Sequence, residues 1–361
     1  MTALANNPVS LSGVPHTDSL THAERHIAMW LLICCALVFA IVVVGGVTRL
    51  THSGLSITEW QPIVGTLPPV SDADWASAFA KYQLTPEYLQ VNKGMSLPEF
   101  QRIFWWEYFH RLLGRLIGFA FLVPFLWFWL RRKIPRGYGA RFAAIFALGA
   151  AQGALGWYMV RSGLVDDPRV SQFRLTAHLG LAFLIFAAMF WAALSLVAPR
   201  QGDSDRTGNA GASIRFGASA VALLVFIQVL SGGMVAGIRA GFAYNTFPLM
   251  NGDIVPPEIL SLDPWWSNFF YNMATVQFDH RLLAWTLAIA IPLLWWKVTR
   301  ARGASRRARI GAHLLLAGLA TQVTLGILTL VHVVPVPLAA LHQAGALLLF
   351  ALALNLAHAL R

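Results

Sequence analysis

The stretch WEYFHRLLGR, from Trp106 to Arg115, opens a long apolar run. It places Glu107, His110 and Arg111 at positions i, i+3 and i+4, which share one face of a helix. Charged groups are costly near the hydrocarbon of a bilayer, and they usually have a function there. The stretch therefore predicts a membrane-spanning helix that carries a functional site near its beginning.

The composition of the whole chain favours a membrane protein. The 361 residues are 57% hydrophobic and 12% charged, and this charged fraction is about half that of an average water-soluble protein. Eight apolar stretches reach the roughly 20 residues that cross a bilayer as a helix. These spans 1–8 lie near 27–47, 108–130, 142–160, 174–197, 214–236, 274–297, 308–331 and 338–358. We predict an all-α integral membrane protein with eight transmembrane helices.

The placement of the basic residues predicts the topology. The net charge is +11, and lysines and arginines concentrate in the loops after spans 2, 4 and 6. By the positive-inside rule these loops and both termini are cytoplasmic. The segments 50–105 and 238–272 then lie outside, which in a bacterium is the periplasmic side of the inner membrane. We expect the bilayer as a partner, and no nucleic acid.

The two halves of the chain resemble each other. HRLLGRLIGFAF from His110 matches HRLLAWTLAIAI from His280. The pairs GGVTRLTHSG with GGMVAGIRAG and TAHLGLAFLIF with AALHQAGALLLF also match, as do the Gln-x-x-x-Gly patterns at 152–156 and 322–326. Each copy has four spans, and an even number returns the chain to the same side, so the repeats are parallel. We predict two pseudo-symmetric four-helix bundles.

These features divide the chain into four parts. The stretch RQGDSDRTGNAGAS, from 200 to 213, is rich in small polar residues and is typical of a flexible linker. No small-residue cleavage signal precedes span 1, so we expect no removed signal peptide. The predicted parts are a cytoplasmic tail at 1–26, an N-terminal bundle at 27–199, a cytoplasmic linker at 200–213 and a C-terminal bundle at 214–361.

Four of the eleven histidines open the even-numbered spans, all of which run from outside to inside. They therefore share one depth near the outer face, and we expect two pairs: His110 with His178, and His280 with His342. Two imidazoles from neighbouring helices of a bundle can supply both axial ligands of a haem iron. A single helical histidine is more often a packing residue, but the repetition in both halves favours ligands. Zinc is less suited because no cysteine or third ligand is correctly spaced.

The other histidines are given structural or solvated roles. We expect solvated or interfacial side chains for His16, His22, His26 and His358, and structural roles for His52, His313 and His332.

The two halves differ at one acidic position. Glu107 corresponds to Gln277 in the second copy. A carboxylate can move protons or stabilise developing positive charge, whereas an amide can only form hydrogen bonds. We predict that the first half is reactive, with Glu107 catalytic, and that the second half binds a cofactor next to Gln277. The alternative is that Glu107 is an interfacial residue favoured near a helix N-terminus.

At this point the chain resembles the haem A synthase family over nearly its whole length. The resemblance is carried by GGVTRLTHSGLSITEWQPIVGTLPP (45–69), EYFHR (107–111), TAHLG (176–180), FDHR (278–281) and LHQAGA (341–346). It implies an oxidoreductase that converts the C8 methyl group of haem O to a formyl group, by successive hydroxylations and loss of water. The product, haem A, serves terminal oxidases.

The resemblance also implies roles for the paired histidines. His280 and His342 would hold haem B as a cofactor, His110 and His178 would define the haem O site, and Glu107 would assist catalysis. Haem O synthase, which is a farnesyltransferase, and cytochrome oxidase assembly factors are the expected partners, together with an unidentified electron donor. A homo-oligomer is compatible with the sequence.

Arginines are expected to bind the haem propionates. Arg111 and Arg174 lie at the outer ends of spans 2 and 4, and Arg281 at that of span 6. A guanidinium can bind a carboxylate bidentately. Arg49 and Arg239 are weaker candidates, and all five residues could instead be interfacial anchors.

The positions of the cysteines differ from those in part of the family. Some members carry a cysteine pair in an outer loop, but the two cysteines here, Cys34 and Cys35, are neighbours in span 1. Adjacent helical residues diverge by about 100°, so we expect no disulfide. The chain is therefore closer to the proteobacterial and mitochondrial branch.

Two other functions fit parts of the pattern. A di-haem, quinol-linked electron-transfer cytochrome also needs four histidines, but it would usually place its haems near opposite faces. A haem transporter built from parallel repeats would explain the duplication, but it does not require paired histidines.

Overall fold

The fold is described from a computed structural model, which covers residues 22–59, 64–164, 168, 170–197 and 208–361. The covered residues form no β-strand. Their helices are, in chain order, α1 (His22–Leu50), α2 (Asp72–Gln83), α3 (Pro86–Gln90), α4 (Leu97–Leu130), α5 (Gly139–Gly163), α6 (Gln172–Val197), α7 (Gly208–Gly237), α8 (Asn268–Tyr271), α9 (Met273–Arg300), α10 (Arg306–Val331) and α11 (Val336–Ala359). Eight of them, all but α2, α3 and α8, are long and apolar enough to cross a membrane. The predicted all-α membrane architecture is confirmed.

Gly163 faces Leu55, Gly237 faces Gln172 and Gly241 faces Val334. The C-terminal ends of α1, α5, α7 and α10 and the N-terminal end of α6 therefore lie at one end of the bundle. We call this end, where the two longest loops lie, the capped end. Helix α9 begins there with Asn272, whose side chain accepts hydrogen bonds from the N–H groups of Ala274 and Thr275. Such caps satisfy donors that have no partner within the helix.

Helix α4 begins at Leu97, well before the predicted start of span 2 at 108. A capping box starts it, because the Ser96 N–H donates to the Glu99 carboxylate at 2.8 Å. Aromatic residues on these extra turns contact α2. A search for apolar runs alone does not identify these contacts. The resulting buried cluster consists of Trp75, Tyr82, Phe100, Phe104 and Tyr108.

Four long helices form the centre of the molecule. Helix α1 packs against α4 and α6, and α7 packs against α9 and α11, while α5 contacts α6 and α10 contacts α11. Helices α6 and α7, α1 and α11, and α6 and α11 join the two halves. The contacts therefore place α1, α6, α7 and α11 between α4 and α5 on one side and α9 and α10 on the other. The pseudo-symmetry of the halves stays a prediction.

Both cysteines are buried in the core and free. The Cys34 and Cys35 thiols point to different helices, towards the carbonyls of Ala120 and Phe186. This divergence agrees with the expected absence of a disulfide between them.

Parts of some predicted segments lie outside the described residues. These parts are residues 1–21 of the tail, which include His16, residues 200–207 of the linker, and Trp60 to Pro62 of the outer loop. Residues 208–213 of the predicted linker are helical, because α7 extends beyond its apolar stretch.

Candidate functional site

The structure brings the four histidines together as two pairs. His110 lies on α4, His178 on α6, His280 on α9 and His342 on α11, each within a few turns of the capped end. His110 and His178 are close enough to interact electrostatically, and so are His280 and His342. Both pairs join helices of the same half. We refer to these residues as the paired histidines.

Each paired histidine packs against a glycine of the preceding long helix. A Cβ atom on Gly45 would lie 2.8 Å from Cε1 of His110, and one on Gly156 would lie 3.0 Å from Cε1 of His178. The corresponding distances are 3.3 Å from Gly232 to His280 and 2.9 Å from Gly326 to His342. A Cβ atom at Gly45 or Gly326 would force the imidazole to shift, and at Gly156 or Gly232 the ring would have to give by a few tenths of an ångström. The contacts place all four rings at corresponding levels of their helix pairs.

Glutamines contact three of the paired histidines. The Nε2 group of Gln152 donates to the backbone carbonyl of His178 at 3.0 Å, and that of Gln322 donates to His342 at 2.9 Å. The Nε2 group of Gln228 lies 3.1 Å from both the carbonyl and the Nδ1 atom of His280. The glutamines therefore fix the histidines from the neighbouring helix.

Several buried polar atoms around these residues have no hydrogen-bond partner within the described residues. They are Nδ1 of His110 and His178 and Oε1 of Gln152, Gln228 and Gln322. Buried polar atoms are usually hydrogen-bonded, so the histidine nitrogens in this set can take a partner from outside the chain. Within the described ranges, no three histidine, cysteine or acidic side chains converge on one metal ion. A planar group that takes one imidazole on each face, such as haem, fits this donor set.

Glu107 is held by the outer loop. Its side chain is 2% exposed, and Oε2 accepts hydrogen bonds from the Ser56 hydroxyl and the Ile57 N–H, both at 2.8 Å. Its Oε1 accepts from Nε of Arg111 at 3.0 Å. Arg111 also donates to the carbonyls of Ile57 and Glu59. Glu107 and Arg111 thus fasten the loop to α4.

The second half repeats this arrangement, but its loop offers a hydrogen-bond acceptor where the first loop offers donors. The Nε2 group of Gln277 donates to the Ala240 carbonyl at 2.7 Å, and its Oε1 accepts from Arg281 at 3.0 Å. Arg281 also donates to the carbonyls of Tyr244 and Thr246, both at 3.0 Å. The first loop offers donors, which suit a carboxylate, and the second offers an acceptor, which suits an amide. The difference between Glu107 and Gln277 therefore has a structural cause as well as any catalytic one.

The other predicted arginines have different environments. Arg174 lies over the ring of Tyr158, with Cζ 4.6 Å from its centroid. Arg49 donates to the Ala236 carbonyl, and Arg239 lies 3.3 Å from Nδ1 of His52. Arg49 and Arg239 therefore meet where the two halves join at the capped end.

Most of the remaining histidines have the environments that the sequence predicts, but His358 does not. His22 and His26 are exposed, and His313 accepts a hydrogen bond from the Trp295 indole at 3.0 Å. The prediction of a solvated His358 is wrong, because it is 2% exposed and contacts Ser195 at 3.2 Å. Helix α11 turns this residue towards α6 rather than towards the surface.

Outside the spans, a buried acid lies near the cationic groups of the capped end. Glu87 in α3 is 4% exposed. Burial raises its pKa from 4.5 to about 7, although the charges of Arg239 and Arg49 act in the opposite direction. A carboxyl group whose pKa is higher in the folded state stabilises the fold least when it is ionised. Its contribution is therefore present at low pH and is lost as the pH rises through this interval.

We expect the Glu87→Gln variant to lose part of the pH dependence of stability. Between about pH 5 and about pH 8, ionisation of Glu87 should cost the unmodified protein up to about 3 kcal/mol, whereas an amide cannot ionise. Thermal unfolding of both proteins in detergent at the two pH values measures the difference. An equal loss of stability in both proteins would contradict this assignment.

The structure adds residues that the sequence analysis missed. Gln228 and Ser231 both contact His280, the latter through its hydroxyl at 3.2 Å, and Ser56 contacts Glu107. Gln228 precedes Gly232 by four positions, as Gln152 precedes Gly156. The Gln-x-x-x-Gly spacing that the sequence analysis found at 152–156 and 322–326 thus also occurs at 228–232 and could have identified Gln228. No sequence signal identified Ser56.

Known proteins resemble this chain over nearly its full length. Residues 28–354 match the COX15-CtaA family, described as cytochrome oxidase assembly protein. A protein of Nitrosospira multiformis named heme A synthase is 61% identical over 354 residues, which are 98% of this chain and 99% of the relative. Proteins of the same name from Nitrosomonas eutropha and Paramagnetospirillum magneticum are 55% and 50% identical, over 96% and 95% of this chain and 97% and 96% of the relatives.

Proposed function

The chain belongs to the COX15-CtaA family of cytochrome oxidase assembly proteins, and on this premise we propose that it is a haem A synthase, an oxidoreductase that converts haem O to haem A. The structural observation that carries the proposal is the pairing of His110 with His178 and of His280 with His342, one pair in each half. In the resembling family, the C8 methyl group of haem O becomes a formyl group through successive hydroxylations and loss of water.

We assign the two haems to different halves. His280 and His342 hold haem B, and the contacts of Gln228 and Ser231 with His280 support a permanent site there. A bound haem B supplies one-electron redox chemistry. His110 and His178 hold the substrate, haem O, and release haem A. The glycines that face all four rings leave the space that the ligated imidazoles need.

Glu107 acts in catalysis next to the substrate. It lies one turn before His110 on α4 and is buried, so a negative charge on it is poorly screened by solvent. Ser56, Ile57 and Arg111 hold the carboxylate in place. A fixed carboxylate stabilises positive charge that develops on a substrate carbon and can accept a proton. Gln277 cannot do the latter at the equivalent position.

The arginines at the capped end bind the propionates. Arg111 and Arg174 serve the substrate, and Arg281 serves haem B. Arg111 and Arg281 also hold the outer loops through backbone carbonyls. Propionate binding and loop closure are therefore coupled through the same guanidinium groups.

The protein is a multi-pass membrane protein. We place it in the bacterial inner membrane, with both termini in the cytoplasm and the capped end in the periplasm. The basic loops at the opposite end support this orientation. Its family membership links it to oxidase assembly. Haem O synthase, assembly factors and an electron donor are the partners that we propose.

Identification of the extracted haems tests the function. The protein is expressed with and without a haem O synthase, and the haems are extracted and separated by chromatography. We expect haem A only where haem O is supplied and the chain is present, together with haem B and a low-spin spectrum in the purified protein. Membranes without the chain are the control. Unaltered haem O beside bound haem B would favour the electron-transfer cytochrome or the haem transporter.

A further inference from the structure

The two halves differ in the middle of one corresponding helix. In α5, the six consecutive residues from Phe146 to Ala151 are all exposed. Six helical residues cover more than a full turn, so the side of α5 that faces the bundle is open at this level as well. In α10, Leu319 is buried and Val323 packs against the core, and these residues correspond to Gly149 and Gly153 at the offset of 170. The first half therefore has a cleft beside α5 that the second half lacks.

Two glycines of α5 line this cleft. Gly149 and Gly153 precede Gly156, which faces the His178 ring, by seven and three positions. Residues with these spacings share one helix face, so both glycines lie on the side of His178, further from the capped end. Among the described residues, a Cβ atom at either glycine would meet no atom of another helix within 4 Å. The space next to them is open.

Helix α4 contributes two further glycines. Gly114 and Gly118 follow His110 by four and eight positions, so they lie on the same helix face as this histidine and further from the capped end. Both are exposed. The corresponding residues of α9 are Ala284 and Ala288, which are larger and less exposed. All four glycines of the first half are thus replaced by larger residues in the second.

Aromatic residues close the cleft at its far end. The ring centroids of Phe121 on α4 and Phe146 on α5 are 6.4 Å apart, and those of Phe125 and Phe142 are 6.3 Å apart. Trp30 of α1 packs against Phe121 and Phe142, with centroid distances of 4.9 and 5.5 Å. The cleft therefore extends from the first histidine pair to this cluster, over about 12 Å of α4.

The cleft begins at polar groups of the site and continues along an apolar helix. Nδ1 of His178 and Oε1 of Gln152 are buried at the end nearer the loops, and they have no hydrogen-bond partner among the described residues. From Phe146 to Ala154, Gln152 is the only residue of α5 with a polar side chain. A ligand of this space would therefore combine a group that binds imidazole with an apolar chain.

We propose that the cleft binds the farnesyl tail of haem O and that its four glycines make the first half selective for haem O over haem B. This inference rests on the proposed function. Haem O carries its farnesyl chain where haem B has only a vinyl group. With the propionates at the capped end, the tail extends towards the membrane interior, where the cleft lies. In the second half the larger residues occupy this space and exclude a tail by steric clash, which is a common source of specificity.

Haem binding by two variants tests the proposal. Gly149→Leu and Gly153→Val introduce the residues of the second half into the cleft. The purified protein, with haem B already in its second half, is mixed in detergent with increasing haem O or increasing additional haem B. Bound haem is separated from free haem, extracted and quantified by chromatography, which gives a Kd for each haem. We expect each variant to raise the Kd for haem O about tenfold or more and that for added haem B less than about threefold.

A matched control adds the same bulk outside the cleft. Ala147 precedes Gly149 by two positions, so it points about 200° away from it, to the opposite side of α5. Ala147→Leu should bind haem O as the unmodified protein does. The haem B that stays in the second half reports whether each variant is folded, and if one of the two cleft variants has lost it, the other decides.

Two results would overturn the proposal. One is an unchanged Kd for haem O in the folded cleft variants. The other is an equal rise of Kd for haem O and added haem B, which would mean that the new side chains obstruct the porphyrin and not the tail. Either result, in a protein that forms haem A in the extraction experiment, refutes the role of the cleft and leaves the synthase assignment intact. An unmodified protein that binds no haem O would refute the proposed function and this inference with it.

Discussion

Replacement of His280 by alanine is expected to reduce the haem B content of the purified protein to background. The imidazole of His280 contacts both Gln228 and Ser231, and Gly232 packs against it. An alanine would remove one of the two ligands that we propose for haem B and leave the Ser231 hydroxyl without this partner. The haem content is measured by a pyridine haemochrome spectrum and chromatography.

A matched control separates ligation from general damage. His313 is also a histidine on a long helix, but it is exposed and donates nothing to the pairs; its Nδ1 accepts from the Trp295 indole. His313→Ala should therefore keep its haem B. Unchanged haem B in His280→Ala would refute the ligand assignment. Loss of haem from both variants would point to instability instead.

Replacement of Glu107 by glutamine is expected to lower haem A formation by about 100-fold or more, with haem O still bound. The amide keeps the size of the side chain but cannot hold a negative charge or take up a proton. Conversion is measured as haem A formed per bound haem O, and binding is measured from the spectrum of the loaded protein.

The contacts of Glu107 require a second variant, because the amide also disturbs the loop. An amide nitrogen placed at Oε2 would face the donors of Ser56 and Ile57 instead of accepting from them. Ser56→Ala removes one of these hydrogen bonds and keeps the carboxylate. It should lower conversion less than Glu107→Gln does, since the carboxylate is kept and one hydrogen bond to a charged group contributes about 1.5–3 kcal/mol. Equal losses in the two variants would show that Glu107 acts only by fastening the loop.

Much of the fold follows from the sequence because the bilayer imposes a simple rule on it. Each span must be long and apolar, and the eight predicted stretches lie in eight observed helices. Their bounds are less predictable, as α4 shows. The capping box at Ser96 and the aromatic residues that contact α2 extend that helix beyond its apolar run. Hydropathy does not record either interaction.

The histidines of the candidate site could be predicted from the sequence, but the partners of Glu107 could not. The repeat indicates the four histidines, and the structure places them in pairs. Their roles as ligands stay a prediction. The partners of Glu107 could not be predicted, because Ser56 approaches it from a loop about fifty positions earlier in the chain. The burial of His358 could not be predicted for a similar reason, since it depends on how α11 packs against α6.

The glycines that face the imidazoles also set the alignment of neighbouring helices. If α10 slid by one turn along α11, the side chain of Gln322 or Leu330 would meet the His342 ring in place of Gly326. The three other helix pairs have the same constraint. The contacts between the glycines and the imidazoles therefore favour one axial alignment of each helix pair, and they involve protein groups alone. Helix pairs aligned in this way hold their imidazoles at matching levels along the helix axes as soon as the helices assemble.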